Sequence, residues 1–391
     1  MKSKRIRSID IFRALTMFFM IFVNDLWSLT GVPEWLEHAA ANEDRMGFSD
    51  IIFPLFLFIV GLSIPLAIHT RLKKGDTVTG IFKHIIFRTI ALLTMGFYMV
   101  NFETIYDDTM LINKHYWEIL MALAICLIWL DYKRISWIDK NTEIVIRVIG
   151  VLLLVFLGII YKGGSADSIV WMRPGWWGIL GLIGWAYFFS GIVYLLLRKH
   201  RPYLFLVFLF FLFMNIQENG YFQNIPAFKL IVSAANYVLV MAGVLCTSLF
   251  LYFREKEKEH LFLSVVFGAG LLFILYGFAL RTIFPISKIQ ATPTWSALCI
   301  GISYILYVLF YIVTDKFHFY KWADLLKPAG TSTLSCYLMP YFIYPMVILI
   351  GFEWPSAISS GFPGIVKSLL FSFVIILFVG WMEKRNIRLK I

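Results

Sequence analysis

Seven clusters of lysine and arginine punctuate the chain, and two long apolar stretches separate each cluster from the next. They are Lys2/Lys4/Arg5/Arg7, Arg71/Lys73/Lys74, Lys133/Arg134/Lys140, Arg198/Lys199/Arg201, Arg254/Lys256/Lys258, Lys316/Lys321/Lys327 and Lys384/Arg385/Arg388/Lys390. Between successive clusters lie loops poor in positive charge, such as 31–46, 101–114 and 217–227. This alternation is the positive-inside pattern of a polytopic membrane protein, and it assigns every loop a side. The basic clusters are expected in the cytoplasm, with both termini, and the charge-poor loops outside.

Composition supports the same class. Of 391 residues, 60% are hydrophobic and 15% charged, more apolar and less charged than an average soluble domain. The formal charge of +11 sits in short loops beside apolar segments, so it is no nucleic-acid footprint. Cys126, Cys246, Cys299 and Cys336 all fall inside apolar stretches, without disulfide or metal spacing, and read as packing residues. The basic start followed by an apolar run from Ile9 to about Leu29 lacks a small-residue cleavage site. It reads as a retained first helix.

A bilayer core takes about 20 apolar residues as helix. Stretches of that kind recur along the whole chain, so the expected fold is all-α: one transmembrane domain over 1–391 with about twelve helices. Ten or eleven also fit, because the fourth stretch is marginal and the seventh, Tyr203 to Met214, is short. Gly178, Gly181 and Gly184 mark a helix packed closely on a neighbour. Trp27, Trp35, Trp117, Trp171, Trp176 and Trp177 are expected in the outer interfacial belt. No soluble domain is expected at either end.

Some polar residues exceed what a lipid-facing helix needs. His38 and His115 alone among the histidines fall on the expected outer side. His38 lies in EWLEHAAANEDRMGFSD with Glu34, Glu37, Glu43, Asp44 and Asp50, carboxylates that favour a protonated imidazole if they approach it. Asn24 falls in the outer third of the first helix, where an amide needs a hydrogen-bond partner. The plainer readings are a helix–helix tie for Asn24 and a solvated loop residue for His38. At the expected cytoplasmic mouth, Asp10 and Arg13 open the first helix and Lys83, His84 and Arg88 the third. Arg88 either pairs with Asp10 or binds an anionic phosphate ligand. Arg281 and Lys288 flank an unusual outer segment, FPISKIQATPTW. No Walker loop, GxSxG elbow or HExxH motif occurs, and no metal site is expected.

The opening RSIDIFRALTMFFMIFVND, then EHAAANEDRMGFSDIIFPLFLFIVGLSI, resembles the heparan-alpha-glucosaminide N-acetyltransferase family and its bacterial relatives. That family's pattern runs R-S-x-D-x-F-R-G, F-V-N, K-H-A-x-W-N-G and A-D-[LI]-[VI]-F-P-x-F-x-F-I-x-G. Weaker matches are HYWEILMALAICLI, SAANYVLVMAGVL, FPISKIQATPTWSAL and LKPAGTSTLSCYLMPYFIY. The resemblance implies a multi-pass enzyme of a bacterial inner membrane. It would pass acetyl from cytoplasmic acetyl-CoA to an amino sugar outside. The family's active-site histidine falls on His38, its catalytic asparagine on Asn24, and the aspartate of A-D-L-V-F-P on Asp50. Arg13, Arg88 and Asp10 would serve the CoA side, and Glu37, Trp35, Arg281 and Lys288 the sugar. Two departures stand out: Ala14 replaces a family glycine, and AAANEDRMGF replaces A-x-W-N-G in the acceptor-facing loop.

This chemistry suits the residue types. A protonated amine is no nucleophile, and a neutral imidazole can take its proton near neutral pH. Asn24 would donate to the developing oxyanion. An acetyl-histidine intermediate is the competing mechanism. The expected partners are acetyl-CoA, the amino-sugar acceptor and the bilayer, with a homodimer as a further arrangement and no nucleic acid. The rival class is an amino-sugar or N-acetylglucosamine permease, which would show related halves and broken helices at the midplane.

Overall fold

The computed structural model describes residues 6–222, 224–225 and 229–391. Lys2, Lys4 and Arg5 of the first basic cluster, and parts of the 217–227 loop, lie outside the described residues. The architecture is helical throughout. In chain order the long helices are α1 (Arg7–Asp25), α2 (Ser49–Lys73), α3 (Val78–Phe102), α4 (Lys114–Trp129) and α5 (Lys140–Ile160). They continue with α6 (Gly178–Leu197), α7 (Arg201–Glu218), α8 (Ala234–Glu255), α9 (Glu259–Leu280) and α10 (Pro293–Tyr311). Shorter pieces follow as α11 (Lys327–Thr331), α12 (Thr333–Leu338), α13 (Pro340–Leu349) and α14 (Ser356–Ser359), before the long α15 (Gly361–Lys384). A small antiparallel hairpin of β1 (Gly163–Ser165) and β2 (Ser168–Val170) sits between α5 and α6.

Helix starts follow the local sequence. Thr77, Asn113, Asp139, Ser233 and Thr292 each cap a helix by accepting a backbone N–H through the side chain. Pro293 at the first turn of α10 adds a fixed φ where no donor is needed.

Among the described residues, nine helices are long and apolar enough to cross a membrane, or ten if the pair bent by 73° at Ser332 counts as one broken span. The expectation of about twelve is therefore not reached. The first helix carries Arg7, Asp10 and Arg13, and α4 has only 16 residues. Tyr203–Met214 extends to the full 18 residues of α7, so the seventh stretch is not short.

Lipid chains are as apolar as leucine, so helices in a bilayer associate by close packing rather than by hydrophobic exclusion. Glycines mark the closest approaches here. A Cβ on Gly61 would lie 2.0 Å from the Val240 carbonyl oxygen, and one on Gly243 would lie 2.1 Å from that of Phe58. These two contacts press α2 onto α8, whose Thr247 hydroxyl also donates to the Leu62 carbonyl at 2.9 Å. α8 is the central helix, buried on all sides from Ala234 to Val244. Gly181 of the marked glycine helix faces Gly96 of α3, where a Cβ would come within 2.4 Å of its backbone nitrogen. Trp117 departs from the expected aromatic belt. It is fully buried, donates to the Leu157 carbonyl at 3.1 Å and stacks on Tyr98, whereas Trp27, Trp35, Trp171 and Trp176 are exposed.

Gly61→Val or Gly243→Val should therefore destabilise the protein by at least the roughly 1–3 kcal/mol of an overpacked core. Gly268→Ala, with nothing within 4 Å of the added carbon, should not. Thermal unfolding in detergent measures all three.

Candidate active site

Asp50 occupies the first turn of α2 and is almost fully buried. Its Oδ2 accepts the backbone N–H of Ala39 at 3.0 Å and of Gly47 at 3.1 Å, and its Oδ1 lies 2.7 Å from His38 Nδ1. The loop reaches this position because it folds back on itself. Phe48 N donates to the Trp35 carbonyl at 2.7 Å, and the Ser49 hydroxyl donates to that of Leu36 at 2.6 Å. A Cβ at position 47 would fall 1.8 Å from the Glu37 carbonyl oxygen, so only glycine allows the crossing. A ring nitrogen 2.7 Å from a carboxylate oxygen carries the shared proton. The contact thus assigns Nδ1 as donor and leaves Nε2 with the free lone pair. The His38 side chain is 45% exposed, so that nitrogen belongs to an accessible group.

A second loop, between α9 and α10, supplies a cation. Lys288 Nζ lies 3.1 Å from His38 Nδ1 and 3.8 Å from Asp50 Oδ1. Burial lowers the lysine's pKa from its ordinary value, and the Asp50 charge opposes that shift. Trp295 Nε1 donates to the Asp50 carbonyl at 3.2 Å and ties α10 to the same point. The two loops are stitched together at Asp44, which accepts Ile286 N–H at 2.7 Å and Arg281 Nε at 2.9 Å. Gln290 Nε2 adds a bond of 2.9 Å to the Ala41 carbonyl. Arg281 is thereby engaged in holding the loops together. Glu37 and Trp35 are exposed, and their side chains make no hydrogen bond among the described residues.

Asn24 lies in the last turn of α1, half-buried, and no hydrogen bond joins its amide to His38. Its neighbour Asp25 is buried and holds a network that the sequence reading missed. The Tyr344 hydroxyl donates to Asp25 Oδ1 at 2.8 Å, the Ser368 hydroxyl donates to Oδ2 at 2.5 Å, and Lys367 Nζ stands 3.4 Å from Oδ2. An aspartate next to the motif asparagine, with a lysine inside the last apolar stretch, was the available signal.

Of the remaining predicted residues, Asp10 lines one cavity, whereas Arg13 and Arg88 line a separate one of about 340 Å³ between α1, α2, α3 and α6. Its walls are apolar, from Met20 and Phe56 downward. Its far end carries Arg13, Arg71, His84, Arg88, Arg388 and Lys390, and no Asp or Glu side chain is among its described lining residues. Asp50 and Arg71 stand at opposite ends of α2, about 30 Å apart at 1.5 Å per residue. Met20 lies one helical turn from Asn24, so the cavity approaches the level of the histidine site from below. Arg13 donates to Ser63 Oγ at 2.7 Å and lies 3.6 Å from Asp10. The expected Asp10–Arg88 pair does not form. Arg88 instead stands over the Tyr187 ring at 4.9 Å with its Nε buried and unpartnered. Ser332 Oγ, on the same lining, is likewise buried without a partner. Buried polar atoms without partners are uncommon and point to a missing ligand or water. No group of three or more potential metal ligands occurs among the described residues.

Residues 5–172 match the family model for the heparan-alpha-glucosaminide N-acetyltransferase catalytic region. The match covers less than half of the chain and makes that segment similar to the family's catalytic region. Heparan-alpha-glucosaminide N-acetyltransferase of Homo sapiens is 34% identical over 98 residues, and that of Mus musculus 32% over 100 residues. Each alignment covers 25% of this chain and only 14% of the relative. The family is one of acetyl-CoA-dependent membrane N-acetyltransferases.

The loop stitch makes a pH prediction. The Ile286 N–H, the largest influence, holds the Asp44 carboxyl below its ordinary value; burial opposes it, and the Arg281 hydrogen bond and charge add to the lowering. A depressed carboxyl stabilises the folded form above its unfolded value, and that stabilisation is lost as pH falls through the folded one. Protection of the Ile286 amide from hydrogen exchange, corrected for the intrinsic rate, should therefore hold near neutral pH and weaken in acid. Asp44→Asn should show the weakened state throughout.

Proposed function

We propose that this protein transfers acetyl from acetyl-CoA, held at the basic end of the cavity, to the amino group of a glucosamine-type sugar at His38. The observation that carries the reading is the arrangement along α2. An Asp50-oriented imidazole stands at one end, a cluster of cations without an Asp or Glu side chain stands at the other, and an apolar cavity rises between them. Arg88 and Arg13 are suited to the phosphates, since a charge-assisted hydrogen bond to an anion would satisfy the buried Arg88 Nε. The apolar walls suit the thioester-bearing arm.

At the other end, His38 Nε2 takes a proton from the acceptor ammonium, and the freed amine attacks the thioester carbon. The developing oxyanion draws on the Asn24 amide, which has no competing hydrogen bond. The carbon–sulfur bond then breaks, the proton held on His38 neutralises the departing thiolate, and the second proton of the acylated nitrogen passes to the vacated imidazole and on to water. Asp50 fixes the tautomer and stabilises the imidazolium, and Lys288 limits how long that cation persists. Glu37 and Trp35, exposed beside His38, are placed to meet the sugar. We place the histidine end outside an inner membrane and the basic end in the cytoplasm, from the charge asymmetry of the loops.

His38→Ala should lower amino-sugar acetylation by at least the about 10²–10⁴-fold of a positioned proton transfer, with acetyl-CoA affinity retained. Asp50→Asn should lower it in the same way, whereas His115→Ala should cost much less. Liposomes holding purified protein, acetyl-CoA and a panel of amino sugars, read by mass spectrometry, supply the assay. Uptake of sugar without acetylation would favour the permease. In a background lacking the native cysteines, Asn42→Cys and Gly75→Cys should label with an impermeant thiol reagent from opposite sides. Labelling from one side would end trans-membrane transfer.

A further inference from the structure

The last helix does not simply run out. At its C-terminal end Asn386 adopts a left-handed backbone (φ 64°), a conformation asparagine tolerates, and the chain reverses. Residues 387–391 then form a strap fastened at three points. Asp131 N donates to the Arg388 carbonyl at 2.9 Å, Lys390 N donates to that of Trp129 at 2.8 Å, and Leu389 N donates to Ser335 Oγ at 3.1 Å. The Leu389 side chain is buried in the core. Such anchoring fixes the side chains on either side of it, Arg388 and Lys390, and both line the basic cavity.

Neither cation is used up by its neighbours. Arg388 Nη1 is 3.6 Å from Glu383 and Lys390 Nζ is 3.9 Å from Asp131, both beyond a direct hydrogen bond. Those two carboxylates are themselves engaged by the Thr331 hydroxyl at 2.8 Å and by Arg134 at 3.2 Å. Opposite the strap stand Arg71, Arg88 with its buried unpartnered Nε, and the orphaned Ser332 hydroxyl. Cations thus come from α1, α2, α3 and the strap, more than one phosphate group requires. Another cavity, of about 960 Å³, differs: it mixes Arg7, Arg254 and Lys327 with Asp10, Glu259 and Asp315.

We infer that the strap is part of the donor site, with Arg388 and Lys390 binding a ligand that carries several phosphate groups, as the nucleotide end of CoA does. The inference rests on the acetyl-CoA reading above for the identity of that ligand, while the site itself rests on the lining.

The test is calorimetric titration of CoA into the purified full-length protein in phosphatidylcholine nanodiscs. The paired substitution Arg388→Gln with Lys390→Gln should weaken CoA binding about tenfold or more. It should also reduce the rise in thermal stability that a given CoA concentration produces, with little change in the unliganded protein. Ser335→Ala keeps both cations but loosens the strap, and should weaken binding by a smaller factor. CoA affinity unchanged in the paired variant but lost in Arg88→Gln would overturn the strap's role and leave the acetyltransferase reading standing. Absence of CoA binding in the native protein would overturn both. Thermal stabilisation by phosphatidylglycerol nanodiscs, lost in the paired variant, without any CoA binding would assign the site to lipid headgroups instead.

Discussion

The outer end of the molecule depends on the buried carboxylate of Asp50. A charged group in so little solvent is tolerable only if its lone pairs are filled, and four partners arrive to do so: two backbone N–H groups, an imidazole and a nearby ammonium. Each partner drags a piece of chain with it. The Ala39 and Gly47 amides close the first outer loop, and Lys288 brings in the second. His38 is therefore oriented as a by-product of satisfying Asp50. Its other ring nitrogen is held by the same bonds that hold the loop, so the orientation the proposed function asks of it needs no separate device.

Helix α2 then converts that local arrangement into a relation between two sites. It begins at the carboxylate and ends at Arg71, and it is clamped to the central α8 by glycines that admit no side chain. A helix gripped this way cannot slide without a steric clash, so the vertical separation between the imidazole and the basic cavity is set by residue count alone. Neighbouring α1 supplies the intervening side chains Arg13, Met17 and Met20, spaced so that one face of the helix lines the same cavity.

Much of this was legible in the sequence because the governing signals are one-dimensional. Paired apolar stretches, basic clusters and the D-I-I-F-P-L-F run do not need a partner to be read. His38 with Asp50 could be seen because twelve residues separate them and one motif spans both. What failed was pairing across distant segments. Arg88 was expected on Asp10, but the preference for an acid next to a base says nothing about which helix faces which, and Asp10 lies beside Arg13 instead. Trp117 was placed in the interfacial belt because tryptophan favours that layer, yet its indole N–H found a buried carbonyl on α5 and the ring went inside. The helix count fell short for simpler reasons: α1 carries Arg7, Asp10 and Arg13, α4 has only 16 residues, and the stretch before α15 is bent by 73° at Ser332.

The Asp25–Lys367 pair shows the same logic near Asn24. An aspartate inside an apolar bundle is costly, and an ion pair there repays the cost only with good geometry and further hydrogen bonds. Tyr344 and Ser368 provide those bonds, and Lys367 also donates to Ser28 at 2.8 Å. The result joins α1, α13 and α15 at one point, immediately after the asparagine whose amide is left without a partner. Asp25 thus anchors the end of the first helix, and under the proposed function the half-exposed Asn24 amide beside it, with no hydrogen bond among the described residues, serves the acetyl transfer.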